Sequence, residues 1–179
     1  MTSSRLTDSA TMLIVFGGLP GTGKSTLARR LAAERQATYL RIDDIEQALR
    51  SSGMLAGDVG PAGYSVGYAL AASNLRLGHT VVADSVNPIA ITRDAWRRVA
   101  IDSGARCVEI EVICSDAAEH RRRVETRSSD IAGLKLPSWD DILRREYEPW
   151  DRPRLLIDTA ARTVEDALAE LRSRRVDCL

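Results

Sequence analysis

The stretch "MLIVFGGLPGTGKST", residues 12–26, decides how this chain is read. Met12 to Phe16 are apolar without interruption, the pattern of a strand buried on both faces in a parallel sheet. "GLPGTGKS", Gly18 to Ser25, fills the spacing G-x-x-x-x-G-K-[ST]. "STLARRLAAERQ" then puts Leu27, Ala28, Leu31 and Ala32 at helical intervals, with charges on the other side. A tight strand-to-helix turn needs glycines, but nothing in turn formation calls for the lysine and serine that follow the last one. In this context the loop reads as a phosphate cradle. Its glycines let successive N–H groups curl inward, and the following helix adds the positive end of its dipole. The expected nucleotide-binding residues are Gly18, Pro20, Gly21, Thr22, Gly23, Lys24, Ser25 and Thr26. Lys24 is expected to reach the β and γ phosphates of ATP, and the Ser25 hydroxyl to join the coordination of Mg²⁺.

Outward from that loop, "ATYLRID" (37–43) predicts a second strand whose end carries Asp43 and Asp44, and "DIEQALRSS" a helix stopped at Gly53. The Gly- and Pro-rich stretch from Gly53 to Gly63 predicts a loop, "YSVGYALAASNLRLG" a helix, and "HTVVADS" a third strand ending in Asp84. A helix from Pro88 to about Ser103, the strand "CVEIEVI" and a helix from about Asp116 to Thr126 come next. "RSSDIAGLKLPSW" breaks the periodicity, "DDILRREYE" resumes it, and "RLLIDT" is a fifth strand. "TVEDALAELRSRR" is a last helix, opened by a capping box of Thr163 and Asp166. Five strands alternating with helices predict an α/β fold, a three-layer α/β/α sandwich on a parallel five-stranded sheet, which is the P-loop nucleoside triphosphate hydrolase fold. Ligands of such sheets lie outside the carboxyl ends of the strands, so the glycine loop, Asp43, Asp84 and Thr159 are expected in one cleft. Residues 1–11 are polar and expected to form a flexible tail, with 12–179 as a single domain.

Lys plus Arg and Asp plus Glu are 25 each, so no global basic field draws the chain onto nucleic acid or an anionic membrane. Aromatic residues, at 4%, offer few platforms for stacked bases. Cys107, Cys114 and Cys178 lack the spacing of a zinc site or a disulfide framework, which predicts a reduced, cytoplasmic protein. No apolar run approaches the roughly 20 residues of a spanning helix.

The loop "GLPGTGKST", the acid after strand two in "RIDDI", the segment "VVADSVNP" and the arginine-rich "EHRRRVETR" together resemble the small P-loop kinase group. That group includes chloramphenicol phosphotransferase, gluconate kinase, adenylylsulfate kinase, zeta toxins and the kinase domain of polynucleotide kinase. The resemblance implies that the acid after strand two, Asp43, is the general base for an acceptor hydroxyl. Asp44 is the alternative base, or a helix cap. It further implies a lid around residues 127–137, led by Arg123 and Arg127. Arg127 is the expected cation at the transferred phosphate, with Arg121, Arg122 and Lys135 as substitutes. Asp84 is implied as a Mg²⁺ holder through water, or as an acceptor contact. Asn87 matches the group's D-[ST]-x-N pattern, and an Asx-turn into Pro88 is an equal reading. Relatives often carry an arginine where this chain has Glu46, so their acceptor specificity does not carry over. His79 and His120 are isolated and read as ordinary surface residues.

The activity expected is ATP-dependent transfer of the γ-phosphate to a hydroxyl of a small molecule. A polynucleotide 5′-hydroxyl kinase and a nucleotide-dependent ATPase or switch are the alternatives. The sequence has no N-K-x-D tetrapeptide of a GTPase, and "VVADS" has the Asp without the Glu of a motor ATPase.

Overall fold

The computed structural model describes residues 11–54 and 57–174; the expected tail over residues 1–10 and Cys178 lie outside the described residues. In chain order the elements are β1 (Met12–Gly17), α1 (Lys24–Arg35), β2 (Thr38–Arg41), α2 (Ile42–Ser51), α3 (Ala62–Arg76), β3 (Val81–Asp84), α4 (Ala90–Asp102), β4 (Arg106–Ile113), α5 (Ala117–Thr126), α6 (Trp139–Leu143), β5 (Leu155–Asp158) and α7 (Val164–Ser173). The strands form one sheet in the order β2-β3-β1-β4-β5, with every pairing parallel. From β1 the chain builds one side of the sheet with β2 and β3, then the other with β4 and β5. A crevice therefore opens at the carboxyl end of β1, where the glycine loop starts.

The unbroken apolar run of β1 is explained by burial on both faces. Met12, Ile14 and Phe16 pack with Leu27, Leu31, Leu168 and Leu171 of α1 and α7. Leu13 and Val15 pack with Ile42, Ala71, Leu75, Trp96 and Ala100 of α2, α3 and α4 on the opposite face. The result is the expected three-layer sandwich, with β1 at its centre.

Some boundaries depart from the sequence reading. β2 ends at Arg41 and α2 begins at Ile42, so Asp43 and Asp44 lie in the first turn of a helix instead of at a strand end. Arg41 holds the N-cap position and no side chain caps the helix, so Asp44 is not a cap. Pro88 precedes the Ile89 N-cap of α4 and is not in its first turn. The resumed helix is only Trp139–Leu143, opened by a Ser138/Asp141 capping box. The capping box of Thr163 and Asp166 is present at α7.

Arg93 fixes the loop after β3. Its guanidinium is fully buried and donates to the carbonyls of Asn87, Pro88, Glu148 and Pro149, and it lies 4.3 Å from the centre of the Trp150 ring. A buried cation is tolerated here because carbonyl oxygens and an aromatic face replace its water. The 87–88 turn is thereby held at the rim of the crevice.

Candidate active site

The loop from Gly18 to Gly23 is pressed into shape from below. At Gly18, with φ +139°, a Cβ would sit 2.2 Å from the Val112 carbonyl oxygen of β4. At Gly21, with φ +88°, it would sit 2.5 Å from Val124 Cγ2 of α5. Only glycine fits either position. The loop is pinned at three further points: Gly18 N–H donates to Val86 O (3.0 Å), Thr22 Oγ1 to Leu19 O (2.9 Å) and Thr159 Oγ1 to Thr22 O (2.8 Å). Gly23 is the N-cap of α1 and offers no side-chain cap. The N–H groups of Gly21, Gly23, Lys24, Ser25 and Thr26 accordingly bond to no carbonyl among the described residues. Together with the helix dipole they form a positively polarised nest.

The nest opens into a cavity of about 890 Å³, lined at one end by Pro20, Gly21, Gly23, Lys24, Ser25 and Thr26. Asp43, Arg123 and Arg127 also line it. Lys24 is 6% exposed, and among the described residues no carboxylate pairs with it. Arg127 follows the last turn of α5; among the described residues its Nε is buried without a partner, and its guanidinium makes one long hydrogen bond, 3.5 Å, to Pro137 O. Burial pulls the Arg127 guanidinium below its ordinary range, and Asp43 opposes that shift. Two desolvated cations thus face one cavity, neither in an ion pair among the described residues, an arrangement that an incoming polyanion completes.

Arg123 is placed differently. It donates to Thr159 Oγ1 (2.8 Å), Thr159 O (2.9 Å) and Glu119 (2.6 Å), so both of its Nη atoms are engaged, in part on the residue that braces Thr22. Arg121 and Arg122 are exposed and lean on Glu125 and Glu119. Lys135 lines the cavity. Asp44 is not part of the lining, whereas Asp43 is, with its carboxylate 3.8 Å from Arg41 Nε.

Asp84 lies beneath the lining, 1% exposed. Its Oδ2 accepts from the Tyr39 hydroxyl at 2.7 Å, while its Oδ1 is buried and has no hydrogen-bond partner among the described residues. Burial, reinforced by Asp84, pushes the Tyr39 phenol upward, so it stays a donor to that carboxylate. That oxygen and the Ser25 hydroxyl, which lines the cavity, suit a Mg²⁺ held through water and phosphate oxygens, which needs no all-protein cage. Among the described residues no group of three His, Cys, Asp or Glu is arranged to hold a metal. Asn87 is fully buried with φ +51°, and its side-chain Oδ1 and Nδ2 lack hydrogen-bond partners among the described residues.

His120 is the residue the sequence reading missed. It is 7% exposed, its Nε2 lies 2.8 Å from Pro20 O, and its ring meets Trp139 edge-on at 5.2 Å. A carbonyl only accepts, so this contact puts the proton on Nε2. His120 and Val124, four apart on α5, are the face that bears on Gly21. The spacing was visible in "EHRRRVETR", but the surrounding charges made that helix look like surface. His120→Ala should weaken ATP binding about tenfold by leaving the Pro20 carbonyl unpaired, with His120→Gln restoring most of it. Calorimetric titration of both variants with ATP is the check, and equal affinity in His120→Ala would contradict the bracing role.

A second feature absent from the sequence reading ties the aperiodic segment down. Asp130 takes Arg41 Nη1 at 2.8 Å and pairs with Arg29 of α1. Hydrogen bonds from Arg41 and then Arg29 hold the Asp130 carboxyl down to about 2.

Comparison with known proteins bears on this site. A family model described as an AAA domain matches residues 13–149. An uncharacterised protein of Mycobacterium tuberculosis is 33% identical over 119 residues, which are 60% of this chain and 24% of that protein. The chain thus spans about a quarter of the length of that curated relative. The "Probable adenylyl-sulfate kinase" of Aeropyrum pernix is 28% identical over 171 residues, covering 90% of this chain and 91% of that one. Among solved structures, the APS kinase of M. tuberculosis in complex with AMPPNP and APS aligns with a TM-score of 0.63 at 20% identity, over 92% of this chain and 96% of that one. That likeness shows a shared fold.

Proposed function

We propose that this chain, which belongs to the AAA domain family matched over residues 13–149, is a small P-loop kinase, an ATP-dependent phosphotransferase acting on a hydroxyl of a small molecule. The observation that carries this reading is the shared cavity. Loop N–H groups and a Lys24 that, among the described residues, have no protein partner lie at one end, with the Asp43 carboxylate and Arg127 on its walls. A carboxylate in the wall of the cavity that holds the phosphate nest supports transfer to a second substrate.

In this mechanism the nest and Lys24 grip the β and γ phosphates of ATP. Asp43 orients the acceptor hydroxyl and accepts its proton as the oxygen attacks phosphorus. Arg127 stabilises the charge spread over the transferring group. Arg123 acts through Thr159, holding the loop in register. Ser25 and Asp84 would hold Mg²⁺, which when bound draws charge off the phosphate oxygens.

Residues 127–137 act as the lid, shutting water away from the transfer. It is latched by Asp130 to Arg29 and Arg41. About half of the Asp130 side chain is exposed, so the latch is weak and reversible. Its carboxyl is depressed in the folded state. The latch is therefore complete above pH ~4, the unfolded value, and is lost as pH falls through about 2. Hydrogen exchange over 127–137 should speed up in Asp130→Asn and slow down in the wild type on adding ADP and Mg²⁺. Exchange that ignores both changes would leave this segment an ordinary loop. The whole reading is tested by incubating the protein with ATP, Mg²⁺ and mixtures of metabolites, nucleosides and antibiotics, and following acceptor-dependent ADP release.

A further inference from the structure

Glu46 occupies a built position in the wall of the cavity that the catalytic reading does not use. It follows Asp43 by three residues on α2, so both lie on one face of that helix, and both line the cavity. Helix α3 comes close at this point because its second residue is Gly63. A Cβ there would sit 2.3 Å from Glu46 Cγ and 3.2 Å from Glu46 Oε1. The glutamate stem runs through the notch that the missing side chain leaves, and only 21% of the side chain remains exposed. Its one ionic partner among the described residues, Arg50, reaches Oε2 at 3.1 Å but is itself 42% exposed, so the pairing is screened. Oε1 accepts no hydrogen bond among the described residues.

The surroundings decide what that oxygen can take. Burial, helped by Asp43 and Asp58 and opposed by Arg50, pushes the Glu46 carboxyl above its usual range, so its charge is under-compensated. The Tyr64 phenol lies within the field of both Glu46 and Asp43, and its oxygen already accepts the Asn87 N–H at 3.1 Å. An anionic group placed here would meet two carboxylates at short range. A cationic group would share the cavity with Arg41, Arg50, Arg127 and Arg145. An uncharged hydroxyl donates to Glu46 Oε1 and meets neither penalty.

Resting on the kinase reading, we propose that Glu46 sets acceptor specificity: it admits a neutral polyol with a hydroxyl beside the one to be phosphorylated, and rejects an acceptor carrying an anionic group there. A wall acceptor that must be hydrogen-bonded discriminates strongly, because the wrong partner leaves it unpaired. Gly63 serves the same end by keeping the notch open.

The test uses amide NMR spectra of the protein saturated with ADP and Mg²⁺, titrated with xylitol or with xylonate, which differ in one terminal carbon oxidised to a carboxylate. In the wild type, xylitol should shift the amides of residues 43–47 and 63–64 at concentrations about tenfold or more below those xylonate needs, a usual penalty for juxtaposed like charges. Glu46→Arg should reverse that order, and the isosteric Glu46→Gln should abolish the discrimination. The proposal is overturned if xylonate matches xylitol in the wild type, if the order survives Glu46→Arg, or if neither compound shifts these amides. Shifts of the Gly21–Thr26 amides on adding ADP are read in the same spectra. If these move and the polyol result fails, the role of Glu46 falls alone; if they stay still, the kinase reading falls and takes the proposal with it.

Discussion

Lys24→Ala is expected to lower ATP turnover by about 10³-fold or more, the scale of losing a principal cation at the transferring phosphates. The magnitude follows from where the side chain sits. Lys24 is nearly buried at the first position of α1, and among the described residues it has no carboxylate partner. Removing its ammonium therefore breaks no internal ion pair, and the loss should fall on phosphate binding with little effect on folding. Steady-state kinetics beside circular dichroism checks this. A correctly folded variant working at the wild-type rate would remove the phosphate loop from the account.

Asp43→Asn is the second large effect, and it separates a kinase from a nucleotide binder. The substitution keeps size and shape but cannot accept a proton. ATP affinity should be nearly unchanged while transfer to an acceptor falls by about 10² to 10⁴. The contrast is Asp44→Asn. Asp44 does not line the cavity and does not cap α2, so its loss should cost on the order of 1 kcal/mol or less through the helix dipole and leave transfer intact. Burial also raises the Asp44 carboxyl, which limits what its charge contributes. Reversed phenotypes would move the base to Asp44.

The glycine loop was legible because each of its residue types answers to a phosphate, and no local turn needs all of them. The central strand was legible because burial on two faces leaves an unbroken apolar run. The end of β2 was not, since "ATYLRID" continues a strand-like pattern past Arg41. The helix starts early because Ile42 is 2% exposed beneath α3, where the absent Cβ of Gly67 would come within 2.5 Å of Ile42 Cδ1. Contacts between residues far apart in sequence were out of reach altogether. Asp130 meets Arg29 across 101 positions, and His120 meets Pro20 across 100. Neither pairing leaves a periodic trace. Spacing put Arg123 and Arg127 on one helix face; it could not show that Thr159, brought over on the end of β5, bonds Arg123.

The central claim is that the γ-phosphate of ATP passes to an organic hydroxyl under the control of Asp43. The direct measurement is to give the wild type and Asp43→Asn ATP labelled in the γ-phosphate, with Mg²⁺ and a pooled set of hydroxyl-bearing small molecules, and to locate the label by chromatography. The account predicts label in a phosphorylated organic product made by the wild type and almost none from Asp43→Asn, although both proteins bind ATP. Label recovered only as inorganic phosphate from the wild type, or the same organic product at the same rate from Asp43→Asn, would contradict it.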